Sequence, residues 1–273
     1  MKMMMNLNKV IYDIKYMLQF WHIGLKETFI DRGMLVVDCL IGTTLPILVQ
    51  LCFWNYAFSN NNEKFIQNYT FDKIALYVTV SVIIARLNNP WKMIEKFSDQ
   101  IKSGEFDSYL IKPESHFNYF KNLFYGENIV YLVLLLIFLI PSFYIYSKFI
   151  FLIPLLLFLY FSQYICFQMG YIFGLCSFWL INSNFLGFMF YVLTFSLGGV
   201  LLPIEFWPEV LQPLLMYNPF RLIVSGVVDV AINPNMNKVI TLSLMYIFYY
   251  YLFKILIIKL LALSKNVYNS GGG

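Results

Sequence analysis

Charge is what this chain has least of. Only 12% of its 273 residues are Asp, Glu, Lys or Arg, about half the roughly 25% of an ordinary soluble domain. So few charges cannot cover a surface that meets water, and the solvent that fits the composition is a bilayer. Histidine is scarce too. His22 and His116 stand far apart in sequence without an HExxH-like cluster, which removes a catalytic zinc site of that kind. No GxxxxGK[ST] loop and no GxSxG elbow occur, so neither nucleotide hydrolysis nor a hydrolase nucleophile is written in the chain. Cys39, Cys52, Cys166 and Cys176 all fall in apolar runs without metal-ligand spacing and read as small apolar side chains. The net charge of +4 is spread along the chain rather than gathered in an arm or face, which argues against nucleic acid. About 33 polar and amphipathic residues precede the first long apolar run, so a cleavable signal peptide is not expected. Residues 270–273, Ser-Gly-Gly-Gly, read as an appended linker.

What is present is hydrophobicity: 60% of residues are hydrophobic and 20% aromatic. Apolar runs of about 20 residues recur, the length that crosses roughly 30 Å of hydrocarbon. The fold class expected is an all-α polytopic membrane protein, one transmembrane domain over residues 1–269. Six transmembrane helices are expected near 34–58, 71–87, 129–146, 149–178, 185–202 and 239–263. Ahead of them, over 10–32, Ile11, Ile14, Leu18, Trp21 and Leu25 recur at spacings of three and four with charges between. That pattern suits an amphipathic interfacial helix with Trp21 at headgroup depth, or a helix packed on another domain.

Polar residues inside the runs are costly in lipid unless they face protein or water. Asp38 and Gln50 in the first run are therefore candidates for the polar lining of a path, and Arg86 at the end of the second is expected to snorkel to headgroups. Gly170 and Gly174 form a GxxxG, which fits close packing within the chain or a seam between two copies. Of the 19 Lys and Arg, 14 fall on the side of the termini and the central interval and five on the other. By the positive-inside rule both termini and the central interval at 88–126 are expected in the cytoplasm. A second interval, 203–236, carries Pro203, Pro208, Pro213 and Pro219. It is too broken for one helix and too apolar for a free loop, so short helices dipping into the membrane and returning are expected.

In the central interval, Ile101-Lys102-Ser103-Gly104-Glu105-Phe106 is followed by Tyr109-Leu110-Ile111-Lys112-Pro113. This run resembles the I-x-x-G…L-x-x-P cytoplasmic loop of type-2 ABC exporter permeases, the membrane subunits of drug, lipid and polysaccharide exporters. The interval with Pro203, Trp207, Pro208, Asn218, Pro219 and Phe220 looks like the re-entrant extracellular helices of that family, with Glu205 beside them as a further gate residue. With six spans and an amphipathic first helix, the resemblance covers nearly the whole chain.

The resemblance implies two permease subunits, identical or homologous, paired in the membrane on two cytoplasmic ATPase subunits. ATP and Mg would be bound by the ATPase, while this chain would hold no cofactor or metal and no catalytic residue. A coupling helix in the central loop would be anchored by Trp91, Met93, Ile94, Phe97 and Ile101. Glu95, Lys96, Asp99 and Lys102 would make charge-assisted contacts to the ATPase, with Lys92 and Glu105 in the same coupling loop. Gly104 would turn the chain, and beyond it Tyr109, Leu110 and Lys112 would lead to Pro113, which stops the element. Cargo would be amphipathic, lipid-like, peptide or drug-like. The alternative is a non-conducting membrane scaffold that docks a cytoplasmic partner. An ion-coupled carrier is disfavoured, because no internal repeat and few intramembrane titratable groups are seen. The Asn-, Lys-, Ile- and Phe-heavy composition points to a bacterial plasma membrane.

Overall fold

A computed structural model describes residues 2–30, 32–61, 69–107, 115–145, 151–180 and 183–267. Among those residues the architecture is helical, with no strand element. Helix α1 (Lys2–Ile30) starts before the expected position. Helix α2 (Arg32–Val37) runs through a π-helical stretch, Asp38–Thr44, into α3 (Leu45–Asn61). Helix α4 (Phe71–Leu87) is capped by Thr70, whose hydroxyl accepts from the Lys73 N–H. The central interval, expected as a loop holding one short helix, forms two: α5 (Trp91–Lys102) and α6 (His116–Glu127). Then come α7 (Ile129–Ile145), α8 (Leu152–Leu175) and α9 (Ser183–Leu197). Tyr109, Leu110, Ile111, Lys112 and Pro113 lie outside the described residues, as do residues 270–273.

Three helical runs, Arg32–Asn60, Leu152–Phe178 and Met236–Ser264, are long and apolar enough to cross a membrane. A fourth candidate is the pair His116–Glu127 and Ile129–Ile137, bent by 42°. Burial separates their roles. More than half of the Leu152–Phe178 window, 56%, is inside the protein, against 6% for Arg32–Asn60 and 17% for Met236–Ser264. Helix α8 is thus the central post. Leu40, Ile41, Leu48, Val49 and Phe53 are exposed on the first run, an apolar face that suits lipid and would be a liability in water.

Helix α1 does not simply rest on a membrane surface. Its Gly24 meets the backbone of α6 around Gly126, and the Thr28 hydroxyl reaches the Glu127 carbonyl at 3.2 Å. Trp21, expected at headgroup depth, lies with its ring centroid 6.1 Å from that of Tyr125. The exposed side of α1 carries Leu18 and Ile23 instead.

The interval 203–236 holds α10 (Gln212–Met216), α11 (Pro219–Ile223), α12 (Ser225–Ile232) and a 3-10 turn, Ile204–Phe206, before α13 (Met236–Val267). Its prolines break the helix as expected, and Leu222, Ile223, Val224, Val227 and Val228 are fully buried. Buried irregular backbone needs partners, and side chains from all around supply them. The Tyr246 hydroxyl donates to the Leu222 carbonyl at 2.6 Å, Tyr77 to Gly199 at 2.7 Å, and Asn218 to Leu197 at 3.1 Å.

The deepest of these bonds comes from the break between α4 and α5. Pro90 lacks an N–H and ends the ladder. At Asn88 the side-chain amide donates to the Ile223 carbonyl at 2.7 Å and to the Ser162 hydroxyl at 3.2 Å. The Cys166 thiol in turn meets the Asn88 carbonyl at 3.1 Å. Asn88→Leu, similar in volume, leaves the Ile223 carbonyl unpaired in the core. It is expected to cost about 1–3 kcal/mol, read as a lowered thermal midpoint in detergent. An unchanged midpoint would show that this junction bears no stability.

Candidate functional site

Helix α5 has two unlike sides, set by its sequence. Met93, Ile94, Phe97 and Ser98 are buried, while Lys92, Glu95, Asp99 and Lys102 are exposed. The apolar side is seated on the chain itself. Pro90 and Met93 lie over Gly170, where an added Cβ would come 2.5 Å from the Pro90 Cβ. Phe97 lies over Gly174 so closely that its ring would overlap a Cβ there. The GxxxG of α8 is therefore filled by the same chain. Ring contacts hold Phe97 on its other sides: centroids lie 4.4 Å away at His116, 5.0 Å at Tyr171 and 5.5 Å at Phe120. Trp91, half-buried, covers Gly187 of α9 and packs edge-on against Phe188 and Tyr191.

The far end of α5 is a tight cap. The Ser103 N–H donates to the Asp99 carbonyl at 2.9 Å and the Gly104 N–H to Ile101 at 3.3 Å. Gly104 has φ +77° with nothing within 4 Å of where a Cβ would stand. Backbone geometry alone selects glycine here. Ile101 is half-buried and Glu105 is exposed. Lys96, predicted to face a partner, is instead tied to α1: its ammonium lies 3.0 Å from the Glu27 carboxylate. An intrachain acid had captured it, which a reading of the interval alone could not foresee.

Beside α5 opens a cavity of about 590 Å³, walled by α1, α2, α4, α5, α6, α7 and α9. Asp38 lines it, and Gln50 does not. Gln50 is half-buried with an orphaned side-chain carbonyl. Arg86 corrects the expectation of snorkelling. Its Nη1 lies 3.1 Å from the Asp38 carboxylate and its Nε donates to the Gly42 carbonyl at 2.7 Å. The Tyr131 hydroxyl donates to the other Asp38 oxygen. Within a low-dielectric wall a nearby acid outcompetes distant headgroups for a guanidinium. The π-helical stretch contributes as well, with the Thr43 and Thr44 hydroxyls donating to the carbonyls five residues before them.

With this geometry in hand, a match to known sequences becomes informative. The family model described as "ABC-2 family transporter protein" matches residues 44–271. The chain belongs to that family. It is the membrane permease of an ABC transporter, a transport component that works with an ABC ATPase. No individually curated protein matches it.

In this ABC-2 permease the second predicted set of residues divides in two. Phe220 sits in the core, its ring centroid 5.8 Å from Phe190, and Pro219 opens α11. The Pro203 carbonyl starts the 3-10 turn by accepting from Phe206 at 3.0 Å, and the Pro208 carbonyl accepts from Leu211 at 2.8 Å. Gln212 bonds the Trp207 carbonyl at 2.8 Å. Glu205 stands near Tyr69, beside an aromatic group in which the Phe206 centroid lies 5.0 Å from Trp54. Burial, with the Asp229 carboxylate nearby, raises the Glu205 carboxyl above its ordinary range. Asp229 itself is paired with Arg221 at 2.9 Å, both buried. Sequence reasoning passed over Asn88, Arg221 and Asp229. Polar residues in an otherwise apolar run were the available signal.

Proposed function

We propose that this permease is the exporter half of an ATP-driven pump, crossing the membrane six times with both termini in the cytoplasm. The observation that carries the reading is the two-sided α5. A helix whose apolar side is bolted to the central post, while Asp99 and Lys102 are exposed and open space surrounds its Gly104 turn, is built to receive force from a soluble partner. Helices α4 and α9, with 17 and 15 residues, fall short of a full crossing alone. On this reading the broken segments that follow them complete the depth, and 203–236 forms the re-entrant cap. Two copies, or two homologous permeases, pair around the path, and two ATPases dock on residues 91–113. The cavity beside α5 admits amphipathic cargo, since aromatic and charged groups share its wall.

The test is ATP hydrolysis by the purified complex in lipid, wild type against Gly104→Pro with Ile101→Asp. Proline cannot adopt the positive φ at 104, and the aspartate replaces a half-buried apolar anchor. Loss of the bound ATPase, or a fall in coupled hydrolysis of about tenfold, is expected when an interface loses its anchor. Unchanged ATPase binding and hydrolysis would overturn the coupling role and leave the docking scaffold as the better account.

A further inference from the structure

Helix α1 is held from one side. Gly24 presses the backbone of α6, where an added Cβ would stand 2.8 Å from the Glu127 nitrogen. Gly126 of α6 returns the contact, its own Cβ position 2.7 Å from the Trp21 carbonyl oxygen. Backbones that close, brought together by small residues, fix how α1 is turned about its axis. The Lys96 ammonium adds a tie to the Glu27 carboxylate at 3.0 Å. Glu27 is the one acid among the described side chains of α1, and it is already matched.

The opposite side is open and carries the other sign. Lys15, Gln19, His22 and Lys26 follow one another at four, three and four residues, which sets them in one stripe along a helix. All four are exposed. Leu18 and Phe29 flank the stripe on one side and Ile23 and Ile30 on the other, and these are exposed too, Ile30 to 80%. Arg32, exposed at the start of α2, extends the basic group. Asp13 and Asp31 lie outside the described side chains.

We infer that this open face of α1 is a docking surface for the headgroups of anionic phospholipids. Each ammonium brings three N–H donors and no acceptor, the imidazole brings another donor, and a guanidinium takes phosphate oxygens two at a time. A phosphodiester carried on acyl chains meets both parts of the surface, its charge on the stripe and its chains on the flanking apolar side chains. Continuity favours a bilayer over a soluble acidic partner. Exposed apolar residues run on from Ile30 through Met34, Val36 and Val37 to Leu40 and Ile41, into the least buried of the three long runs. A soluble protein covers such a face only as far as the hydrocarbon, whereas lipid covers all of it. Charge then fixes the headgroup class. A zwitterionic headgroup offers its phosphate together with an ammonium, which the lysines repel. The inference needs only the membrane placement of the family and stands apart from the exporter reading.

The probe is phosphatidylglycerol with a photoreactive headgroup, at trace level in nanodiscs of phosphatidylcholine that hold the full chain. Phosphatidylcholine bearing the same reactive group is the comparison, and crosslinks are mapped to residues 15–32 by peptide mass. The anionic probe is expected to label that stretch about 25-fold over the zwitterionic one, near fivefold for each of the two lysines. Added salt should erase most of the difference. Lys15→Gln with Lys26→Gln should remove the preference and leave the thermal midpoint unchanged, because both side chains are exposed. Should that variant fold poorly, the wild-type comparison and its salt dependence still decide. Equal labelling by the two probes, or a preference that survives both substitutions, overturns the inference. Competition by excess inorganic phosphate would make the stripe a site for a free anion and overturn it as well. If the double variant lost a bound ATPase while its lipid labelling stayed unchanged, the face would belong to an acidic protein partner instead.

Discussion

Arg86→Leu is expected to lower stability by about 3 kcal/mol, near the foot of the range for removing one member of a buried ion pair. Arg86 is only 14% exposed, and Asp38 is 39% exposed toward the cavity, which keeps the figure from the top of the range. Two groups lose their partner at once. The Asp38 carboxylate keeps only the Tyr131 hydroxyl, and the Gly42 carbonyl loses the donor that held it at 2.7 Å. Asp38→Leu should be comparably harmful, because it strands the guanidinium. The double variant should be milder than the two losses added, by at least about 1 kcal/mol, since no charge is left unpaired. Thermal unfolding in detergent reads all three. Additive losses would mean that the two residues do not act as a pair.

Gly174→Val should be nearly as damaging, about 3 kcal/mol at the upper end of overpacking costs. Its side chain would enter the space of the Phe97 ring. Phe97 cannot withdraw, because His116, Phe120 and Tyr171 close its other sides. Combining Gly174→Val with Phe97→Ala should recover part of the loss, since the removed ring leaves room for the valine. The readout is the thermal midpoint together with protease cleavage in the turn at 103–107, which loosens when α5 unseats. If Gly174→Val instead separated two copies and left the midpoint unchanged, the glycines would serve a seam between chains.

Helix positions were legible because long apolar runs without breakers fold as helices. The runs expected at 34–58, 71–87 and 239–263 became Arg32–Asn60, Phe71–Leu87 and Met236–Ser264. The two sides of α5 were also readable, since Met93, Ile94, Phe97 and Ile101 recur at helical spacing. Partners distant in sequence were not. Arg86 and Asp38 lie on separate helices, so a rule for isolated helices sent the cation to headgroups. Lys96 was assigned outward for the same reason, with Glu27 much earlier in the chain. Gly170 and Gly174 offered a shallow place without saying what fills it, because small residues accept a neighbour from either chain. The π-helical stretch at Asp38–Thr44 was not read from the sequence, although its two adjacent threonines bond carbonyls five residues before them.

Helix α4 and helix α5 are not one rod. Their junction is carried by the Asn88 side chain and the Cys166 thiol, bonds that can be exchanged singly while both helices keep their own ladders. A continuous helix would act as a strut and pass load straight along its axis. A joint of this kind acts as a bearing. On the coupling proposal, displacement at the Gly104 end of α5 would reach Asn88 and, through its amide, the Ile223 carbonyl. Helix α5 and the proline-rich segment at 203–236 therefore meet at one joint, with a single asparagine as its pin.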